Sequence, residues 1–208
     1  MPDSLTGDES IELPEFDAPP ANPLDLVREW IERAGQRGVL ELHSAVLSTA
    51  SPTGAVSART VLVKEVDIAG FVFTTALTSR KARQLAANPS AALTFYWRET
   101  MQQITVTGEA HRFAADVDDQ LWRDRSREAQ ATVVASSEGE ELESEAALAE
   151  AARVLLESPG VIPRPADWGA FRVVPATIEF WHGRANRLHR RLLYTRETGG
   201  WVPRRLQP

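Results

Sequence analysis

The stretch VSARTVLVKEVDIAGFVFTTALTSRKARQLAANP, residues 56–89, decides the architecture. Its opening, Val56–Val66, is β-rich. In extended backbone Arg59, Val61 and Val63 share one face, while Thr60, Leu62 and Lys64 share the other. Turn chemistry from Asp67 to Gly70 leads into a second apolar run, Phe71–Thr75. The period then changes. Arg80–Ala87 reads as a short helix, stopped by Asn88-Pro89 because a residue before proline is pushed out of helical geometry.

The same alternation of strands and turns extends in both directions. Upstream lies a run at His43–Ala50, closed by Pro52-Thr53-Gly54; downstream lie Ala91–Trp97 and Gln102–Phe113. Two helices are expected near Ala115–Arg125 and Leu142–Glu157, joined by a mobile acidic link that includes Glu138-Gly139-Glu140-Glu141. Further strands follow at Phe171–Val174, Thr177–Trp181, Leu188–Tyr194 and Trp201–Arg205, with Gly199-Gly200 as the last hairpin turn. Residues 1–22, rich in Pro and acidic residues, read as a flexible N-terminal arm ahead of a single domain over 23–208. That domain begins with a helix: Asn22 caps it, Pro23 fits its first turn, and Leu24, Leu26, Val27, Trp30 and Ile31 form its apolar stripe. Short strands at hairpin spacing with inserted helices predict an α+β, mainly β, barrel with peripheral helices. No GxGxxG or GxxxxGK[ST] string supports a doubly wound nucleotide-binding fold.

Composition narrows the function classes. The 208 residues carry a net charge of −6, which argues against a broad nucleic-acid surface. No apolar run reaches the roughly 20 residues that span a bilayer. The N-terminus lacks a secretory pattern, so no membrane partner and a cytoplasmic location are expected. With no cysteine and four scattered histidines, no metal site is expected.

Any bound anion must therefore be held by local basic clusters. Ser79-Arg80-Lys81 opens the short helix; cations there oppose the helix dipole, and a docked anion reverses the sign of that interaction. Arg59 and Lys64 flank a neighbouring strand. Arg187, His189 and Arg191 share one face if their segment is extended, with Leu188, Leu192 and Tyr194 behind them against a core. Each pattern also arises from cations that simply meet solvent. Gln102 and Gln103 lie on opposite faces of a strand; a buried amide suits a flavin edge, whereas Gln102 reads as a surface hairpin residue.

Taken in order, RTVLVK (59–64), FTTALTSRKARQLAANP (73–89), YWRETMQQI (96–104), WGAFRV (168–173), IEFWHG (178–183), RLHRR (187–191) and RRLQP (204–208) resemble the pyridoxamine 5′-phosphate oxidase family. That resemblance implies an FMN-binding split β-barrel of Greek-key type and a homodimer with FMN at the interface. It implies cofactor contacts from the strand Arg59, Thr60, Val61, Leu62 and Lys64, with Arg59 near the phosphate. It adds Thr74, Thr75 and the phosphate clamp Arg80 and Lys81, with Gln103 contributed by the partner subunit, and further contacts from Trp181 and Arg191. Substrate would meet Arg187, His189, Lys64 and Arg125. His189 is a candidate proton relay, and no obligatory general base is assigned.

The sequence departs from the vitamin-pathway pattern where substrate phosphate would bind. Arg125 is retained, but Leu121 and Ala129 replace a tyrosine and a serine, and Glu138-Gly139 replaces a Gln-Ser pair that touches FMN. SLTG near the N-terminus, YWRETMQQI and WVPRRLQP resemble the flavin oxidases of phenazine biosynthesis. The resemblance therefore implies oxidation of a partly reduced phenazine carboxylate, with dioxygen as acceptor. A pyridoxamine or pyridoxine 5′-phosphate oxidase and a non-catalytic flavin-binding protein remain the alternatives.

Overall fold

The computed structural model describes residues 7–208. Its centre is one antiparallel sheet of β1 (Ser44–Ala50), β2 (Val56–Val66), β3 (Phe71–Ala76), β4 (Ser90–Trp97), β5 (Gln102–Arg112), β6 (Trp168–His182), β7 (Arg190–Glu197) and β8 (Gly200–Leu206). The order is β3-β2-β1-β4-β5-β6-β7-β8, and an added β3–β6 pairing closes the first six positions into a barrel. β6 makes this possible. Its first half pairs with β3, its second half with β7, and β5 lies along its other edge.

Alternation along each strand fills the barrel. Leu93, Phe95 and Trp97 of β4 and Ile104 and Val106 of β5 point inward, beside Phe71, Phe73 and Phe180. The first helix, α1 (Pro23–Gln36), covers this core, and Trp30 meets Phe180 edge-on at 5.0 Å. Asn22 caps it as expected, accepting from the Leu24 N–H at 3.1 Å. α2 is Arg80–Ala87, matching the expected helix.

Several expectations are corrected. Phe171–Val174 and Thr177–Trp181 are one strand, β6, running through Pro175. Opposite that proline the β5–β6 register shifts at Thr107/Gly108, and a Cβ on Gly108 would lie 2.0 Å from the Val174 carbonyl oxygen. The irregularity accommodates a residue that has no N–H to give the ladder. Within Leu188–Tyr194 the strand starts only at Arg190, because Arg187 turns with φ 66°. Leu188 is consequently exposed instead of meeting a core. Gln102 is 2% exposed, on the inward face with Ile104, not at a surface hairpin. The final turn is Thr198-Gly199, and Gly200 opens β8.

The helical insertion also differs. α3 is Ala115–Arg123 and α5 is Glu145–Glu157, but between them lies an unanticipated α4, Arg127–Ala135, capped by Ser126 accepting from the Ala129 N–H at 3.2 Å. Trp122, Ala131, Ile162 and Trp168 form a second buried cluster beneath this insertion. Arg127 fastens α4 to the end of α5, donating to Leu155 O at 3.0 Å and Gly160 O at 2.6 Å.

The expected arm is not free over its described part. Ile11, Leu13 and Phe16 are buried, and Arg205 donates to Phe16 O at 2.5 Å. Residues 1–6, including most of SLTG, lie outside the described residues. Among the described residues no helix is long and apolar enough to cross a membrane.

Candidate functional site

The outward face of β2 borders a cleft of about 660 Å³. Thr60, Leu62 and Lys64 line it, as strand alternation predicts, and Val61 contributes to its wall. β3 adds Thr74 and Thr75, α2 adds Lys81, and the α3–α4 corner adds Arg125. Eight of the residues named from sequence thus meet in one place: Thr60, Val61, Leu62, Lys64, Thr74, Thr75, Lys81 and Arg125.

One end of the cleft gathers hydrogen-bond donors around the start of α2. Ser79 caps α2, its hydroxyl accepting from the Ala82 N–H at 3.3 Å and lying 3.2 Å from Thr75 Oγ1. Lys81 is buried and its Nζ donates to Thr75 Oγ1 at 3.0 Å. Arg80 stands exposed beside it at the positive end of the helix. Arg59 turns to the other face of β2 and does not border the cleft. Its guanidinium donates to Leu47 O at 3.1 Å, Thr49 Oγ1 at 2.8 Å and Ser57 Oγ at 2.6 Å. Burial lowers its pKa, the neighbouring Arg80 lowers it further, and Glu138 acts in the opposite sense, so Arg59 sits electrostatically behind the same cradle.

The other end presents Lys64 and Arg125, for which the described residues provide no ion pair, although Asp124 also lines the cleft. Arg125 lies over the rings of Trp168 and Trp122, at 5.3 and 5.9 Å. It makes only long bonds, to Thr74 Oγ1 at 3.4 Å and Ala129 O at 3.3 Å, and its buried Nε has no partner. Burial lowers its pKa. Burial also lowers that of Lys64, and the charge on Arg125 adds to the effect. A smaller cavity of about 270 Å³ adjoins here, bordered by Lys64, Arg125, Leu121 and Thr74 and by the carboxylates of Glu65 and Asp124. A half-buried Arg125 and an exposed Lys64, flanked by Leu121, Ala129, Val133 and Trp168, fit a flat apolar molecule carrying one acid group.

The remaining named residues do not line this cleft. Gln103, Trp181 and Arg191 form a row across β5, β6 and β7, paired in register on the outer face. The Gln103 amide donates to Thr105 Oγ1 at 3.1 Å. Arg191 forms a two-pronged ion pair with Glu179, at 2.6 and 3.0 Å, which raises its pKa. His189 lies 4.8 Å from the Trp181 ring, and its Nδ1 accepts from the Arg184 N–H at 3.1 Å, placing the proton of a neutral ring on Nε2. Burial, then the charge of Arg187, lowers its pKa. Arg187 occupies an exposed turn, so the expected strand-face row of Arg187, His189 and Arg191 is not formed.

Two site residues were missed in the sequence. Trp168 is the platform for Arg125, signalled only by its place in the WGAFRV block. Glu138, placed in a mobile link where it replaces the glutamine of a Gln-Ser pair, turns into the cleft, where its carboxylate pairs with Lys81.

Residues 31–159 match the family described as "Pyridoxamine 5′-phosphate oxidase", and residues 168–208 match its "Pyridoxine 5′-phosphate oxidase C-terminal dimerisation region". The chain belongs to the pyridoxamine 5′-phosphate oxidase family. A member of the family from Pseudomonas chlororaphis, dihydrophenazinedicarboxylate synthase, is 39% identical over all of this chain and 94% of its own length. A pyridoxine/pyridoxamine 5′-phosphate oxidase from Rubrobacter xylanophilus is 46% identical, covering 90% of this chain and 87% of its own. The crystal structure of PhzG from Burkholderia lata, in complex with tetrahydrophenazine-1-carboxylic acid, superposes with a TM-score of 0.93 at 37% identity, over 97% of this chain and 100% of that one. The family boundary between residues 159 and 168 falls just before β6, so the dimerisation region supplies the strand that closes the barrel.

Proposed function

We propose that this protein is an FMN-dependent oxidase of phenazine biosynthesis, acting as a homodimer on a partly reduced phenazine carboxylate. The observation that carries the reading is Arg125, half-buried with an unpartnered Nε, beside the exposed Lys64 and walled by Leu121, Ala129 and Trp168. A fused aromatic ring matches those walls, and a single carboxylate satisfies the orphaned guanidinium. A phosphate ester needs more donors than Leu121 and Ala129 leave.

The residues present fit FMN. Lys81 Nζ, Thr75 Oγ1, Ser79 Oγ and the start of α2 form a cradle for its phosphate, and Thr60, Leu62 and Thr74 line the cleft beside it. When bound, FMN supplies two-electron chemistry, hydride uptake from the substrate ring and reoxidation by dioxygen to hydrogen peroxide. The protein's share is placement. Lys64 and Arg125 hold the carboxylate, and the apolar walls exclude water from the ring being oxidised.

A second subunit completes the site. Val46, Leu62 and Tyr96 leave an apolar patch on the outer face shared by Gln103 and Trp181, and such a patch suits a two-fold partner. That partner brings Gln103, Trp181 and Arg191 to the flavin, and Arg187 and His189 to the substrate, where Nε2 of His189 donates a hydrogen bond or relays a proton.

The vitamin-pathway activity is the second reading, favoured by the 46% identity to the Rubrobacter enzyme. Anaerobic mixing of the FMN-loaded protein with a dihydro- or tetrahydrophenazine carboxylate is expected to bleach the visible flavin absorbance within one turnover. Pyridoxine 5′-phosphate should bleach it far more slowly. The reverse order of rates would overturn the phenazine reading in favour of the vitamin one.

A further inference from the structure

The acidic segment after α4 reaches into the cradle. Of Glu138, Glu140, Glu141 and Glu143, only Glu138 lines the main cleft. Its Oε1 pairs with Lys81 Nζ and its Oε2 accepts from Thr75 Oγ1 at 3.3 Å. These two donors are the ones a phosphate at this end of the cleft would use. The partners differ in burial: the Lys81 side chain is 9% exposed and that of Glu138 is 47% exposed. Lys81 is therefore fixed in the wall, while the carboxylate arrives from the solvent side on a loop jointed at Gly139, whose φ of 93° suits glycine. A buried ammonium needs a counter-ion, and within the described chain Glu138 is the one it has.

A carboxylate and a phosphate cannot both take Lys81 Nζ and Thr75 Oγ1. We propose that Glu138 is a tethered occupant of the phosphate cradle and determines how strongly the site selects FMN over riboflavin. FMN must displace it, and the displaced carboxylate then opposes the phosphate by like-charge repulsion until the loop withdraws. Riboflavin has no phosphate and leaves the Lys81–Glu138 pair in place. The apparent affinity for FMN falls by the fraction of molecules whose cradle is closed, while that for riboflavin does not. The proposal rests on the FMN reading above.

The test is flavin fluorescence quenching on the full-length protein, wild type against Glu138→Gln, with FMN and riboflavin as separate probes. Glutamine keeps the volume and hydrogen-bonding capacity and removes the charge. FMN is expected to bind roughly tenfold more tightly to the variant, with riboflavin within about twofold of wild type. Wild type that binds FMN while the variant binds it equally or more weakly overturns this proposal and leaves the cofactor reading standing. Failure of both proteins to bind FMN overturns the two together. Thermal midpoints give an independent readout. Without flavin, Glu138→Gln should melt below wild type because Lys81 loses its counter-ion, and saturating FMN should remove the difference. Equal midpoints in the flavin-free proteins refute the role of Glu138 as partner.

Discussion

Replacing Arg125 by Met separates a binding residue from a structural one. In the structure the guanidinium faces two indole rings, each contact contributing about 0.5–1 kcal/mol, and makes two bonds of 3.3–3.4 Å at the weak end of roughly 0.5–1.5 kcal/mol each. Against this stand the unpartnered buried Nε, costing about 1–3 kcal/mol, and the like charge of Lys64. The two sides nearly cancel, and Met refills the volume with a flexible apolar chain. Arg125→Met should therefore stay within about 1 kcal/mol of wild type in urea unfolding. The same change removes a charge-assisted bond to the substrate carboxylate worth roughly 1.5–3 kcal/mol, a loss of about 10- to 150-fold in affinity. Equilibrium titration of the FMN-loaded protein with the phenazine carboxylate, beside the unfolding curve, reads both quantities. Destabilisation beyond about 2 kcal/mol with unchanged substrate affinity would refute the reasoning, since Arg125 would then be a structural tie.

Two further outcomes follow from the barrel. Gly108→Ala sets a methyl group against the Val174 carbonyl, so it should cost more than about 3 kcal/mol and lower the thermal midpoint even with flavin bound; a midpoint within 2–3 °C of wild type, roughly the shift expected for 1 kcal/mol at this size, would contradict the register described. Burial, with a smaller contribution from Glu15, pushes the Tyr194 hydroxyl up to about 12. The unfolded chain ionises first, near pH 10, so this stability is full below pH 10 and about 2–3 kcal/mol of it is lost between pH 10 and 12. Tyr194→Phe should flatten that slope, as followed by urea midpoints across the range.

What the sequence made legible is what depends on neighbours a few residues away. The two faces of β2, the extent of α2 and the Asn22 cap are local matters of period and capping, and the structure places them where the pattern did. α4 escaped because Thr132, Val133 and Val134 favour strands over helices and its residues show no clean apolar stripe; it is held by partners such as Arg127 acting on the end of α5. β6 reads as two runs, Phe171–Val174 and Thr177–Trp181, because what accommodates the intervening Pro175, Gly108, lies on another strand. The cleft followed the same division. Thr60, Leu62 and Lys64 could be assigned to one face from alternation, whereas Glu138 meets Lys81 across 57 positions of chain, a distance at which no local pattern speaks.

The double duty of β6 bears on how the polypeptide reaches this state during synthesis. Until that strand emerges, β3 and β5 are both unsatisfied edges, open while the whole helical insertion between β5 and β6 is made. A ribosome that stalled, or a gene cut, before residue 168 would release a half-wrapped sheet prone to sticking to its neighbours. The chain therefore commits to its final shape late, and in a single closing step.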